Sequence, residues 1–410
     1  MKKKIKQYDW KKYDYFLLAA VIMLCSISAF AVKLAGGTSH GTAYMKNQLF
    51  GMVLGLIIVA GLSLLDYHFI CKFAAIYYVL GVLLTLATKS PLGDNNGTDT
   101  YRWVKILGIT FQPTELMKII FILTLAAMFI KLRNRLDHVS TLFIVAAVTL
   151  FPLAAILIQP DLSSSFVVLF IMLVIVIVAG VSYRLLAPFF IAAVPLGIVF
   201  FWYIQQPYNI FLKKKILQQY QYNRIMVWLH PDNDPLQLGM QQNRSLRAIS
   251  SGNLIGKFIQ DGGNSSTSRV YDLIPVRESD FIWAVIGEEF GFLGACIILL
   301  LFIFIIYKCI KTAKQAQDYL GRLIATGVAA MFAFQVFANI AVATRIFPNT
   351  GLPLPFLSNG LSSMLASMIG IGLVMNVCIQ PAKSSKGGFS MRTSSGGGRL
   401  SSEIDFDLEL

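Results

Sequence analysis

Runs of about 20 consecutive, mostly apolar residues recur along the whole chain. Nothing constrains the fold more, because a helix of that length crosses the hydrocarbon core of a bilayer. The runs lie near Tyr15–Leu34, Gln48–Leu65, Phe69–Thr88, Thr114–Leu132, Ser140–Ile158, Ser163–Val181, Arg184–Tyr203, Phe281–Tyr307, Arg322–Thr344 and Ser362–Ile379. Lipid offers the backbone no hydrogen-bond partner, so these runs must be helices. The expected fold is an all-α integral membrane protein with about ten transmembrane helices. Composition agrees. Of the 410 residues, 56% are hydrophobic and only 14% charged, against roughly half and a quarter in soluble domains.

The formal net charge is +14. In a soluble chain that would suggest nucleic acid. Here Lys and Arg gather at helix ends and in loops, so the expected surface partner is membrane lipid, not nucleic acid. The start carries Lys2, Lys3, Lys4, Lys6, Lys11 and Lys12. Lys72, then Lys131, Arg133 and Arg135, then Arg184, then Lys308, Lys311, Lys314 and Arg322 fall in the loops on that same side. The loops near His40, Gln159 and Pro348 are poorer in positive charge. The positive-inside rule then puts both termini in the cytoplasm. The first run lacks a small-residue cleavage site and reads as a retained helix.

On this reading residues 1–382 form one polytopic domain. A large extracellular loop, residues 205–280, joins helices 7 and 8, and loops this long are functional or disordered. Its segment from Ile210 to Tyr220 is amphipathic and suits a membrane surface. Residues 383–410 are rich in Ser and Gly, end acidic, and read as a disordered cytoplasmic tail. The five cysteines, Cys25, Cys71, Cys296, Cys309 and Cys378, lie in or beside apolar runs without metal-ligand spacing, as small buried side chains do.

Ionisable groups within spans are costly and are functional candidates by default. Glu115 and Lys118, at i and i+3, share a helix face. They are either a neutralised structural pair or part of a site. Asp161, in Gln159-Pro160-Asp161-Leu162, is a helix N-cap or a wall of an outward cavity. Asp280 is the sharpest candidate. It sits where the long loop meets the eighth span, and a carboxylate there sees little water on the helix side. Its pKa would rise toward working pH, as a general base requires; the rival role is an N-cap. Of Glu288 and Glu289, at most one shares the Asp280 face. Arg224, Arg244, Arg247, Lys257, Arg269 and Arg277 put positive charge in the loop, and arginine pairs bidentately with phosphate. Arg102 and Trp103 suit an interfacial belt. From Phe347 to Gly360 three prolines and two glycines fix an unusual backbone. At membrane depth such backbone is tolerated only against protein or a water-filled cavity, so this segment, with Ser358, is read as a wall of the site.

Together these segments resemble the SEDS family of shape, elongation, division and sporulation proteins, the FtsW/RodA/SpoVE type. The resemblance runs from about Tyr15 to Gln380. It rests on Arg102-Trp103 with Gln112-Pro113-Thr114-Glu115 and Lys118; Gln159-Pro160-Asp161-Leu162; Tyr222-Asn223-Arg224 with Asp234-Pro235 and Gln241; Asp280-Phe281-Ile282 with Gly287-Glu288-Glu289; and Thr350 to Ser358. It implies an inverting peptidoglycan glycosyltransferase that polymerises lipid II. It also implies a class B penicillin-binding protein as transpeptidase partner. Asp280 is then the expected catalytic residue, with Arg102, Trp103, Glu115, Lys118, Asp161, Arg224, Arg244 and Ser358 as substrate contacts. Departures occur at Val276, Asn359, Leu361 and Ser163-Ser164, where the family commonly has other residues. No dedicated metal-ligand set is visible, although Mg2+ or Mn2+ could bridge the lipid pyrophosphate. A flippase for the same lipid, or a scaffold that activates the transpeptidase, are the rival readings.

Overall fold

The computed structural model describes residues 8–91, 93–94, 101–106, 109–159, 161–205, 219–230, 239–262 and 268–380. Most of the amphipathic 210–220 stretch, Pro160, the Asp234-Pro235 pair, Lys2 to Lys6 and the tail from Lys383 lie outside the described residues.

The apolar runs are helical: α1 (Tyr15–Gly37), α2 (Ser39–Leu64), α3 (Tyr67–Lys72), α4 (Ala74–Ala87), α5 (Pro113–Lys131), α6 (Val139–Ile158), α7 (Leu162–Val178) and α8 (Tyr183–Gln205). In the long loop follow α9 (Gln219–Leu229), α10 (Met240–Ser251) and α11 (Lys257–Gln260), then α12 (Ile282–Gln315), α13 (Tyr319–Ala343) and α14 (Leu361–Ile379). Among the described residues seven helices are long and apolar enough to cross a membrane, and α4 and α7 are shorter apolar helices. With α8, a helix of 23 residues, they carry all the apolar runs read from the sequence.

The expected loop near His40 is not there. Helices α1 and α2 are joined directly at Gly37, whose φ 59° and ψ −153° are non-helical. Glycine enters that region without a Cβ clash, so one residue turns the chain where a loop was anticipated. The segment from Lys89 to Gln112 also differs from a plain loop. It holds a small antiparallel sheet of β1 (Gly93–Asp94), β2 (Trp103–Ile106) and β3 (Ile109–Phe111), in the order β1-β2-β3. Strands of two to four residues are too short for an alternating pattern to register.

Burial sorts the helices. In α5, α13 and α14, 67%, 67% and 78% of the most apolar window is buried inside the protein, against 28%, 33% and 22% in α2, α6 and α12. The first group is the core and the second faces outward. All are apolar around their circumference, as expected when the far side meets lipid. At the end rich in basic residues, Asp14 caps α1 and accepts two hydrogen bonds from Lys308 Nζ of α12, at 2.9 and 2.8 Å. Nearby, Asp318 caps α13 and accepts from Tyr67 Oη at 2.7 Å, while His68 Nε2 lies 2.6 Å from it.

Candidate active site

At the opposite end the long loop enters α12 through a run of turns. Helix α12 starts at Ile282, its N-cap is Phe281, and no side chain caps it. Asp280 is therefore not an N-cap, and that rival reading is corrected. Instead its backbone is fixed from across the bundle. Asn339 Nδ2, on α13, donates to the carbonyls of Asp280 at 2.9 Å and Leu352 at 2.7 Å. Ser358 Oγ donates to Ser279 O at 2.5 Å and accepts from Leu354 N at 2.8 Å. Asn359 N donates to Glu278 O at 2.8 Å. The carboxylate itself accepts one hydrogen bond, from Ser279 Oγ at 3.2 Å. Two residues of the loop before α14 thus hold the backbone on which the acid stands and leave its oxygens open.

That loop forms the facing wall. Gly351 is at φ 69°, and a Cβ on it would stand 3.0 Å from Asp280 Oδ2. Glycine is required twice over there, by the dihedral and by the approach. Phe356 is in the left-handed region at φ 63°, a conformation that costs a bulky residue on the order of 1–3 kcal/mol. A buried network supports that turn. Ser28 Oγ donates to Leu357 O at 2.8 Å, and Gln48 Nε2 reaches Ser28 Oγ at 2.6 Å and Ser358 O at 3.3 Å. Ser28, Gln48 and Asn339 were not singled out from the sequence. The available signal was a polar side chain inside an apolar run.

Charged side chains surround the acid. Asp161 caps α7, accepting from Ser164 N at 3.1 Å and from Ser164 Oγ at 2.8 Å. The capping role read from the sequence is thus present, and Asp161 is also close enough to Asp280 for the two charges to interact. Ser163 Oγ ties this corner to Thr350 O at 2.5 Å. Arg224 Nη1, on α9, donates to Asn349 O at 3.2 Å. The pKa of Asp280 is raised from 3.8: burial disfavours its charge most, Asp161 adds to that, and Ser279, Arg102 and Arg224 oppose it. The result is a carboxyl moved toward neutral pH beside two guanidinium charges, as a general base next to a departing anion needs.

Other sequence candidates fall elsewhere. Glu115 and Lys118 form a fully buried pair, with Nζ 2.8 Å from Oε1. Trp103 pairs with Asp94 across β1 and β2. Arg244 is engaged with the Leu273 carbonyl. Glu288 and Glu289 are both buried and neither is open to a ligand. Glu288 takes the backbone N–H groups of Val270 and Tyr271, each at 2.9 Å, and pairs with Lys257. Glu289 pairs with Arg269 Nε at 2.8 Å and accepts from Tyr271 Oη at 2.7 Å. Helix α12 is broken just beyond, at Gly291. The freed N–H groups of Phe292 and Leu293 donate to the carbonyls of Asn253 and Leu254 at 2.9 and 3.0 Å. The two glutamates and this break clamp the long loop onto α12. Among the described residues no group of three or more His, Cys, Asp or Glu is arranged to hold a metal ion.

Known proteins share this fold. The chain is 29% identical over 379 residues to a probable peptidoglycan glycosyltransferase FtsW from Trichlorobacter lovleyi, covering 91% of this chain and 94% of that protein. It is 29% identical over 374 residues to the peptidoglycan glycosyltransferase MrdB of Escherichia coli, covering 91% and 95%. A chain from a solved peptidoglycan synthase complex, which coordinates polymerization and crosslinking, superposes with a TM-score of 0.74 at 28% identity over 90% of this chain and 98% of that one. The rod shape determining protein RodA of Thermus thermophilus, in a mutant crystal structure, gives 0.63 at 25% identity over 90% and 98%. The family described as cell cycle protein, FtsW/RodA/SpoVE, matches residues 9–383. This chain belongs to the FtsW/RodA/SpoVE family.

Proposed function

We infer that this chain is a peptidoglycan glycosyltransferase that polymerises lipid II into glycan strands. The observation that carries the reading is Asp280, a carboxyl with a raised pKa, one weak hydrogen bond and two arginine charges nearby. Asp280 takes the proton from the acceptor sugar's 4-hydroxyl. The oxygen attacks the donor's anomeric carbon while the bond from that carbon to the pyrophosphate oxygen breaks. Undecaprenyl pyrophosphate leaves with the bonding electrons, and Arg102 and Arg224 stabilise its charge. A single displacement inverts the anomer and needs no covalent enzyme intermediate. Asp161 and Ser358 stand beside Asp280, Asp161 through its charge and Ser358 through its hydrogen bond to Ser279 O, and Trp103 lies in the adjoining sheet. Arg244 lies along the loop, where it meets the polymer or headgroup. Glu115 and Lys118 set the field beneath the chamber. Any Mg2+ or Mn2+ would travel with the pyrophosphate.

We place the chain in the cytoplasmic membrane of a bacterial cell, termini inside and Asp280 at the outer leaflet. The clustering of Lys72, Lys131, Arg133, Lys308 and Lys311 on the side opposite Asp280 supports this. The partner is a class B penicillin-binding protein, a reading supported by the likeness to a chain of a synthase complex. Purified protein in liposomes with lipid II tests the assignment. The wild type yields glycan strands, and Asp280→Asn yields none above background. Translocation of lipid II without polymer would favour a flippase instead, and near wild-type polymerisation by Asp280→Asn would eliminate the base.

A further inference from the structure

The segment that presents Asp280 has a second face. Behind it is a cavity of about 310 Å³, bounded by the α1–α2 bend at Ala35 and Gly36 and by the stretch from Asp272 to Glu278. That volume is at the lower end of the roughly 300–1,000 Å³ of small-molecule sites. Its wall is built, not incidental. Arg277 Nε donates to Ala35 O at 2.6 Å, and Arg277 Nη1 donates to Asp272 O at 2.8 Å. The Arg277 guanidinium also pairs with the Asp272 carboxylate at 3.3 Å. From α2, the His40 and Tyr44 rings stack with centroids 5.9 Å apart and planes at 24°. The Tyr44 hydroxyl stands close enough to Glu278 for the carboxylate to act on it.

An aromatic pair beside two carboxylates and a guanidinium fits a carbohydrate. Ring faces take the apolar side of a sugar, and carboxylates, each with several lone pairs, accept its hydroxyl and amide protons. Asp272 and Glu278 argue against a phosphate, which would meet two negative charges. We propose that this cavity binds the growing glycan strand, an amino-sugar polymer, one peptide segment away from the reacting carboxylate. The proposal deepens the glycosyltransferase reading and rests on it. The link to chemistry is short, because Glu278 lines the cavity and Asp280 follows two residues on. A strand held there would stay with the enzyme between additions.

The test uses the full-length chain in liposomes with lipid II, comparing strand lengths at matched lipid II consumption. His40→Ala, whose side chain is exposed, and the double variant His40→Ala/Tyr44→Ala are expected to give strands several-fold shorter. In parallel, saturation-transfer NMR measures binding of a peptide-free tetrasaccharide of alternating N-acetylglucosamine and N-acetylmuramic acid. Binding to the variants should be weaker by about tenfold, the scale of one lost contact set. Strands of wild-type length, or tetrasaccharide binding that survives in both variants, overturns the proposal. Failure of the base assignment is a separate result. Asp280→Asn that still polymerises sinks that assignment, while loss of tetrasaccharide binding in His40→Ala would still support the cavity.

Discussion

Asp280 and the Glu288–Glu289 pair lie two turns apart in sequence, at the same junction of loop and helix, and do opposite work. The glutamates are buried and saturated: backbone N–H groups, a tyrosine hydroxyl, Lys257 and Arg269 occupy their oxygens. Asp280 accepts one hydrogen bond at 3.2 Å, and its backbone, not its carboxylate, is what the fold holds. A carboxylate whose partners are all supplied stabilises a fold; one that is positioned but holds a single long hydrogen bond can accept a proton. The contrast separates acids that hold the fold from the one proposed as the base without reference to any relative.

The contrast can be broken by substitution. Asp280→Asn should cost the polymerisation rate about 10²–10⁴-fold, the usual contribution of a general base, while the protein stays folded. Unfolding instead would put Asp280 in the glutamates' class. Glu289→Ala should do the reverse, lowering stability in detergent by about 1–3 kcal/mol, because it removes one of the two carboxylates paired with buried Arg269 and the acceptor of the Tyr271 hydroxyl; chemical denaturation measures it. Gly351→Ala forces a left-handed backbone and crowds Asp280 Oδ2, with an expected cost of about 1–3 kcal/mol and a reduced turnover number. A smaller effect sharpens the comparison through pH. Because the folded-state pKa of Asp280 is raised, the unfolded chain releases this proton first as pH rises from acid. The group's contribution to stability is therefore present at low pH and lost as pH climbs through the interval between the two pKa values. Asp280→Asn should then melt at a higher temperature than wild type at neutral pH, and the gap should close below pH about 3.8. The acid limb of the rate profile should also sit above the ordinary carboxylate range.

The spans were legible because lipid imposes a length and a polarity that no other environment does. Asp280 stood out in the sequence as a candidate because an acid at the edge of an apolar run is expensive, and because its neighbours follow a family's order. What the sequence hid has local causes. The polar, glycine-rich stretch around His40 announced a loop, but the turn needed only Gly37, and helix resumes at Ser39. The partners of Glu288 and Glu289 lie about 20–30 residues back in a loop, as the Arg269 and Lys257 numbering shows, and spacing along one helix cannot reveal them. Whether Asp280 capped a helix depended on where the first helical residue fell, a matter of two positions.

Asn339 carries a mechanical consequence. One amide nitrogen grips both the Asp280 peptide and the proline-rich strip opposite it, which couples their movements. Any force a sugar exerts on Leu352 or its neighbours reaches the Asp280 peptide through Asn339, in parallel with the Ser358 and Asn359 contacts to Ser279 and Glu278. Affinity gained at the wall can thereby be converted into alignment of the proton acceptor.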